Sequence, residues 1–462
     1  MGVSRASFPD AWYLSLSSRL VPGLDGGYTV ATLARAAQMA AAGADGGRGP
    51  ILLTFDPGTR GDHAAHRAEF ARRGELADPS RMRNLFDEAT VDGRAAPWLR
   101  AAARPGDPDP ALEYREVADG AIELPVIAGD PDWHIATAPV VVRERPTSPP
   151  RVLDGFGALY RAWLAHVVEG LRGEIDRPVV VVCESRQLGE LLVGWDDPGV
   201  RLVHAIHTVH LEPPYTPDAA LNPLWRRWFT AAERFDAVLW PTPSQAADVA
   251  ARFGPSDVHV VAPHGVAAAA SVVPVDRRVP GRVVMLGRLA PGKRVDAAIR
   301  AFARVAAEVP DAHLDIHGEG AERDRLQRLI DASGLTARVV LRGQSDDPGR
   351  VLDEASAYLQ TSAFEGQGLA LAEALAHGCP AVVWDIRYGP RDLLSAGGGL
   401  LVPDGDEAAL ATALTDVLTD AALRTRLADA AVAAARAVDP AHAMAALAAA
   451  ARDVLARPSR RV

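Results

Sequence analysis

The sequence predicts an α/β protein with two doubly wound, Rossmann-like domains that face each other across a cleft. Three observations predict this fold. Short apolar runs alternate with helical runs over residues 282–405. Near the start of the chain, a strand, a glycine turn and a helix follow one another over residues 11–42. Between these regions, residues 267–281 combine small residues, proline and mixed charge, which is typical of an interdomain linker.

The first domain is expected to span residues 1–266. Its opening strand is predicted over residues 11–18 and its first helix over residues 29–42. Gly26 and Gly27 lie in the turn between them. A strand, a glycine turn and a helix are the first unit of a nucleotide-binding fold, although such turns are usually only turns.

Residues 60–150 interrupt this alternation, because proline, glycine and aspartate become frequent. Within this segment, residues 112–117, 121–124 and 138–143 have the composition of short antiparallel strands. We therefore predict a small β-rich insertion in the first domain. A long surface excursion is the alternative interpretation.

The second domain is predicted over residues 282–438, and a final helix over residues 439–462 is expected to return to the first domain. The predicted strands lie at residues 282–289, 312–317, 337–342, 357–361, 381–385 and 399–402. Helical runs separate them, and this alternation favours a parallel sheet.

Composition limits the function classes. The net charge of -10 argues against general nucleic-acid binding. Cys183 and Cys379 lie far apart in apolar runs, which indicates buried thiols in a reducing compartment. No apolar stretch has the length of a membrane span. We therefore expect a cytoplasmic protein, with any membrane contact peripheral and at the inner face.

Two carboxylates eight residues apart flank a glycine-rich turn. Glu365 precedes Gly366 and Gly368, and Glu373 lies about two turns into an Ala/Leu-rich helical run. Glycines allow a ligand to approach the backbone, and a helix start favours a phosphate. The pattern predicts a cradle for a phosphate-bearing ligand, whereas acids that merely cap a helix are the alternative.

Two cations follow the first strand of the second domain. Arg288 and Lys293 flank a Pro-Gly turn at the carboxyl end of this strand, where open α/β sheets bind ligands. Two fixed cations there can neutralise a leaving diphosphate. A solvated basic turn is the alternative.

Three histidines, His204, His207 and His210, recur at every third residue near the end of a first-domain strand. In an extended chain this spacing does not place them on one face, so a metal trio is not favoured. We predict no metal site.

The acid pair and the cation pair together resemble retaining GT-B glycosyltransferases of family four. Asp385-Ile-Arg-Tyr-Gly-Pro and Glu365-Gly-Gln-Gly-Leu resemble the subgroup that glycosylates wall teichoic acids and serine-rich surface proteins. The resemblance implies a metal-independent hexosyltransferase without a cofactor. Its donor would be UDP-glucose or UDP-N-acetylglucosamine. Its acceptor would be a hydroxyl-bearing polyol-phosphate polymer, which we favour, or a surface protein. A homo-oligomer is compatible with this reading.

The resemblance also implies residue roles. Arg288 and Lys293 would hold the diphosphate, Glu365 would bind sugar hydroxyls, and Glu373 would bind the ribose. Either His207 or His210 would face the donor. Other donor-binding positions implied by the resemblance are Gly26, Gly27, Gly318, Gly343, Gly366, Gln367, Gly368 and Leu369.

Two other functions are alternatives to a glycosyltransferase. A UDP-N-acetylglucosamine 2-epimerase would also bind a UDP-sugar, but it would not show both residue pairs. A non-catalytic partner subunit with the same fold is disfavoured because every cleft residue is present. For a polymer acceptor, Trp225-Arg226-Arg227-Trp228 is a candidate contact. The alternative places both tryptophans in the core and the arginines in solvent.

Overall fold

The computed structural model describes residues 8–24, 26–130, 133–145 and 147–461. In the first domain, the main strands and helices are β1 (Trp12–Ser17), α1 (Gly27–Ala41), β2 (Ile51–Thr54), α2 (Arg60–Arg72), β3 (Met82–Asn84) and α3 (Leu85–Glu88). The inserted region then contains β4 (Thr90–Val91), β5 (Arg94–Ala95), α4 (Pro97–Ala102), β6 (Arg104–Pro105), β7 (Tyr114–Val117), β8 (Ile122–Pro125), β9 (Pro139–Val142) and β10 (Arg151–Asp154). The domain ends with α5 (Gly155–Glu174), β11 (Val179–Cys183), α6 (Arg186–Leu192), β12 (Val200–Ala205), α7 (Pro223–Ala231), β13 (Ala237–Trp240), α8 (Pro243–Phe253) and β14 (His259–Val261).

A seven-stranded parallel sheet forms the centre of the first domain, in the order β14-β13-β12-β11-β1-β2-β3. β11 has five consecutive apolar residues, and all of them are buried. A strand covered on both faces by helices has this composition. The carboxyl ends of β1, β11 and β12 therefore meet at one edge of the sheet, and this edge borders the cleft.

The inserted region forms a five-stranded antiparallel sheet in the order β6-β10-β9-β8-β7. Strands lie where the sequence predicted antiparallel strands. The predicted start of the insertion at residue 60 is too early, however, because β3 pairs with β2 in the main sheet. β3 has only three residues, so it gives little periodicity from which a parallel strand can be recognised.

The second domain contains β15 (Arg282–Leu286), α9 (Val295–Glu308), β16 (His313–His317), α10 (Arg323–Ala332), β17 (Val339–Gly343), α11 (Pro348–Glu354), β18 (Ala357–Gln360), α12 (Leu369–Ala376), β19 (Ala381–Asp385), α13 (Pro390–Leu393), β20 (Gly399–Pro403), α14 (Glu407–Thr419), α15 (Ala421–Ala435) and α16 (Pro440–Leu455). Its six strands form a parallel sheet in the order β17-β16-β15-β18-β19-β20. The two predicted doubly wound domains are thus confirmed. Among the described residues, no helix is both long and apolar enough to span a membrane. Cys183 and Cys379 are buried free thiols, as predicted.

The chain crosses between the domains at two adjacent points. Val266, at the end of the first domain, donates its backbone N–H to the carbonyl oxygen of Val438 at 2.8 Å. α16 then packs on the first domain, where Met444 and Leu447 share a buried apolar cluster with Tyr13. The hydrogen bond between Val266 and Val438 holds the two crossings side by side.

The segment after β19 adds polar contacts between the domains. Asp392 accepts a hydrogen bond from the backbone N–H of Ser244 at 3.1 Å, at the start of α8. Arg387 lies 3.4 Å from Asp248 on the same helix. Tyr388 stacks on His210, with the ring centres 6.0 Å apart. These contacts bring the start of α12 close to the end of β12.

Candidate active site

The glycine turn before α1 meets the second domain directly. An added Cβ at Gly26 would lie 3.5 Å from Cδ of Arg288, and one at Gly27 would lie 3.5 Å from Cδ1 of Leu369. Gly26 also has a positive φ of 50°, which favours glycine. The structure therefore brings together predicted residues that lie more than 260 positions apart in the chain.

The Gly-Gln-Gly turn before α12 packs against the first domain. A Cβ at Gly366 would overlap the carbonyl oxygen of His207, so a side chain does not fit there. The amide of Gln367 forms two hydrogen bonds with the backbone of His264. It donates to the carbonyl oxygen at 2.9 Å and accepts from the N–H at 2.7 Å. Gln367 is buried and therefore joins the domains through its side chain.

Lys293 and Glu365 form an ion pair at the mouth of the second domain. Nζ of Lys293 lies 2.5 Å from Oε1 of Glu365, which also accepts a hydrogen bond from Ser362 at 2.6 Å. Next to Lys293, Arg294 donates to the carbonyl oxygens of Thr361 and Ser362, and its guanidinium lies over the Trp384 ring. The anchored Arg294 holds the turn, so that Lys293 reaches Glu365.

Arg288 differs from Lys293 in having no carboxylate partner among the described residues, and it is exposed. It follows β15 and lines the cavity between the domains. A cation that is not engaged by protein groups is available to bind an anionic ligand. The cation pair predicted from sequence thus consists of one paired and one available charge.

Glu373 lies in the second turn of α12, partly buried. Burial raises the pKa of its carboxyl group to about 7. Gly368, with a φ of 84°, caps the start of the helix. A carboxyl group whose pKa is shifted by burial to near neutrality is more common at functional sites than elsewhere.

The three histidines have different surroundings, as their spacing predicted. His207 lines the cavity, and its ring stacks on His264 with the ring centres 4.6 Å apart. His210 is buried beside Gln245, and burial lowers its pKa to about 4. Burial also lowers the pKa of His204, to about 3. Of the two histidine candidates, His207 is therefore the one that faces the cleft.

Sequence reasoning missed a buried charged network behind His207. Oε2 of Glu184 lies 2.7 Å from Nε2 of His207, and Oε1 lies 3.5 Å from Arg35. Arg35 also contacts Nδ1 of His264 at 2.7 Å. Burial alone would raise the pKa of Glu184, but Arg35 and His207 bring it below its usual value. The sequence signal was an acid at the carboxyl end of the buried strand β11.

Gly318 and Gly343 support the loop that carries Arg288. The backbone N–H of Gly318 donates to the carbonyl oxygen of Gly343 at 2.8 Å. A Cβ at Gly318 would overlap the carbonyl oxygen of Gly287, which immediately precedes Arg288. The glycine therefore lets the ends of β15 and β16 approach each other, which gives Gly318 a structural role in addition to the donor-binding role that the resemblance implies.

The structure overturns one acceptor hypothesis. Trp228 is fully buried in the first-domain core, and Trp225 borders the cavity but is only 6% exposed, so neither tryptophan stands free at the cleft mouth as the acceptor hypothesis required. Arg227 pairs with Glu190 at 2.7 Å, while Arg226 is exposed. The tryptophans at helix spacing thus complete the core, as the alternative interpretation held.

No group of three or more His, Cys, Asp or Glu side chains suited to a metal occurs in the part of the chain that the structure describes. The charged groups at the cleft are instead Arg288, the Lys293–Glu365 pair, Glu373 and the network behind His207. Their arrangement suits an anionic ligand with hydroxyl groups.

Comparison with known proteins defines the class. Residues 278–433 match the family of glycosyl transferases group 1. The second domain thus matches a glycosyltransferase family, and the resemblance predicted from the acid and cation pairs is confirmed.

Among curated proteins, the poly(glycerol-phosphate) alpha-glucosyltransferase of Bacillus subtilis is 31% identical over 200 residues, which are 42% of this chain and 29% of that protein. The poly(ribitol-phosphate) alpha-N-acetylglucosaminyltransferase of Staphylococcus aureus is 33% identical over 109 residues, which are 24% of this chain and 22% of that protein. Each alignment thus spans less than a third of the curated relative.

Solved structures match over nearly the whole chain. The structure of TarM has a TM-score of 0.72 at 16% identity and covers 94% of this chain and 97% of its own. The pneumococcal O-GlcNAc transferase GtfA, solved with UDP and GlcNAc, has a TM-score of 0.69 at 15% identity, with 97% and 99% covered. These matches confirm the predicted GT-B fold, with two Rossmann-like domains and a cleft between them.

Proposed function

We propose that this protein is a retaining glycosyltransferase that moves glucose or N-acetylglucosamine from a UDP-sugar to a hydroxyl acceptor. The observation that carries the proposal is that Arg288 and the start of α12 meet the Gly26–Gly27 turn, while Lys293 and Glu365, which lie in the same two loops of the second domain, pair with each other. Two cations and a helix start can neutralise the negative charge of a diphosphate, and the two acids can accept hydrogen bonds from hydroxyl groups.

Each residue has a role in this proposal. Arg288 and Lys293 stabilise the diphosphate as its charge develops, Glu373 accepts hydrogen bonds from the ribose, and Glu365 accepts them from the sugar. Interactions that strengthen as charge develops accelerate the reaction. Glu365 is held by Lys293 and Ser362, which suits a binding role better than attack on the sugar. The acceptor then attacks on the face that the diphosphate leaves, and the departing phosphate accepts the hydroxyl proton.

The donor and acceptor classes that we propose follow from the names of the relatives. Those relatives are named for glucose and N-acetylglucosamine transfer to poly(glycerol phosphate) and poly(ribitol phosphate). Others are GtfA subunits that transfer N-acetylglucosamine to peptide. We propose the same two donor sugars for this protein and an envelope polymer as its acceptor. Charge compensation by Arg288 and Lys293 supports turnover without a metal.

The direct test is UDP release from UDP-glucose and UDP-N-acetylglucosamine, with and without a polyol-phosphate polymer, in the presence of EDTA. The expected result is acceptor-dependent UDP release with one donor. Nuclear magnetic resonance of the product should show an α-linked sugar. Formation of a 2-epimer without acceptor would identify an epimerase instead. Absence of UDP release with both donors would reject the proposal.

A further inference from the structure

The cavity between the domains continues under the inserted sheet. It has a volume of about 870 Å³ and is lined at one end by His207 and Arg288. Arg288 is the second-domain residue in its lining, so most of the cavity belongs to the first domain. The far end is bounded by Leu124, Pro125 and Val126 of the inserted region. A ligand in this cavity would therefore reach the cleft from the first-domain side.

The far end is aromatic and apolar. We call it the aromatic chamber and define it by Phe55, Phe86, Val126, Trp133, Phe156 and Tyr160. Phe55 lies 4.8 Å from Tyr160 and Trp133 lies 5.0 Å from Phe156, measured between ring centres. Val126 is 44% exposed although it faces this cavity, which leaves apolar surface for a ligand to cover.

Charges near the chamber are largely engaged within the protein. Glu190 accepts contacts from His134 at 2.8 Å, Arg186 at 2.6 Å and Arg227 at 2.7 Å. The exposed Arg115 on β7 is the charged side chain that the inserted region contributes to the lining. A phosphate buried among the rings would lose its hydration, whereas one beside Arg115 would keep a cation, so the rings themselves favour an uncharged group.

We propose that the aromatic chamber binds the hydroxyl-bearing unit of the acceptor and that this unit is an uncharged ring, as in a glycoside. This inference rests on the proposed glycosyl transfer and specifies its acceptor. The apolar face of a ring packs on the aromatic side chains. The hydroxyl of Tyr160, which lines the cavity and has no hydrogen-bond partner among the described residues, bonds a ring hydroxyl. An adjoining anionic group would lie at Arg115.

In the transfer step, an acceptor hydroxyl oxygen bonds to the anomeric carbon of the donor sugar. The bond from that carbon to the β-phosphate oxygen breaks, and its electron pair leaves with the diphosphate. The hydroxyl proton passes to the departing phosphate, so the products are a glycoside and UDP. The chamber's part is to hold the ring while its hydroxyl points toward His207 and Arg288.

Phenyl β-glucoside and glycerol 3-phosphate test the inference as small probes. Calorimetry with UDP-saturated protein should show that phenyl β-glucoside binds at least about tenfold more tightly than glycerol 3-phosphate. Trp133→Ala should weaken glucoside binding by about tenfold, because it removes one aromatic face. Its affinity for UDP and its acceptor-independent donor hydrolysis should stay at wild-type values.

Two valines provide a matched control. Val126→Asp places a carboxylate in the chamber and should weaken glucoside binding by about tenfold or more. Val91 is 54% exposed on the hairpin of β4 and β5, outside the cavity, and Val91→Asp should have no effect. Thermal melting of each variant monitors folding.

Glycerol 3-phosphate binding as tightly as the glucoside would overturn the inference. So would wild-type glucoside affinity in both folded variants, Trp133→Ala and Val126→Asp. Chamber-dependent glucoside binding in a protein that releases no UDP from either donor would reject the proposed transfer while supporting the ring-binding site.

Discussion

Nε2 of His207 lies 2.7 Å from Oε2 of Glu184, a carboxylate whose side chain is fully buried at the end of β11. Arg35 lies on the other side of this carboxylate, 3.5 Å from Oε1. A buried charge is tolerated when it is paired, and Glu184 has a partner on each side. The contact fixes the orientation of the His207 ring at the wall of the cleft. Glu184 is therefore a positioning residue for His207.

Replacing Glu184 tests this relationship. Glu184→Gln keeps the shape of the side chain but removes its charge, so the hold on the His207 ring should weaken. We expect kcat for UDP release to fall by about tenfold to hundredfold, as is common when a supporting partner is lost. KM for the UDP-sugar should change less. The pH profile of kcat should also shift, which a loss of folding alone would not cause. An unchanged kcat and pH profile would contradict the role.

Arg288, which has no carboxylate partner among the described residues, and Lys293, which pairs with Glu365, can be compared directly. Arg288→Ala and Lys293→Ala should each lower kcat by about a hundredfold or more, because in the proposed mechanism each removes charge that stabilises the leaving diphosphate. Arg300→Ala is the matched control, since Arg300 pairs with Glu407 and Asp296 on the surface of the same domain. Its kcat should equal that of the wild type. Near-normal turnover in both cleft variants would refute the assignment.

The pKa of Glu373 predicts a pH dependence of nucleotide binding. Its pKa is raised to about 7, so the free protein holds this carboxyl protonated below that pH. In the proposed ribose-binding role, ribose hydroxyls donate to the ionised form, so UDP affinity should rise from about pH 6 to about pH 8 by roughly tenfold. Calorimetry across this range measures the change. Glu373→Gln should bind UDP more weakly at pH 8, with little pH dependence.

The same pKa sets the sign of a stability effect. A carboxyl whose folded pKa is raised binds more protons in the folded state, so its contribution to stability falls as pH rises from about 4.5 to about 7. Glu373→Gln should therefore raise the melting temperature more at pH 8 than at about pH 4.5. An equal shift at both pH values would show that burial does not penalise the charged form.

The contact between Gly366 and His207 predicts a steric effect. Gly366→Ala places a methyl group against the carbonyl oxygen of His207, which separates the two domains at the cleft. We expect kcat to fall by about tenfold or more, because small displacements of reacting groups are costly. Gly170→Ala is the control, since a Cβ there meets no atom within 4 Å. Equal kcat values for these two variants would exclude a tight contact at Gly366.

Local sequence was enough to determine the second domain and its motifs. Its strands alternate with helices at regular spacing, and glycines mark the turns where a ligand approaches the backbone. Arg288 lies close to Lys293 in the sequence, and Glu365 lies close to Glu373, each pair around such a turn. The spacing within each pair therefore indicated its chemistry. β3 and the inserted region were harder to delimit, because short strands carry little periodicity.

Contacts between distant segments were decided only by tertiary structure. The packing of Gly26 on Arg288, the amide of Gln367 on His264, and the Arg35–Glu184–His207 network join residues far apart in the chain. Sequence also left open whether His207 or His210 faces the cleft and whether Trp225 is free or buried. Both depend on which neighbouring elements cover each side chain, and local periodicity does not contain that information. Sequence therefore determined the chemical groups and their local elements, whereas burial and domain packing decided which of those groups meet.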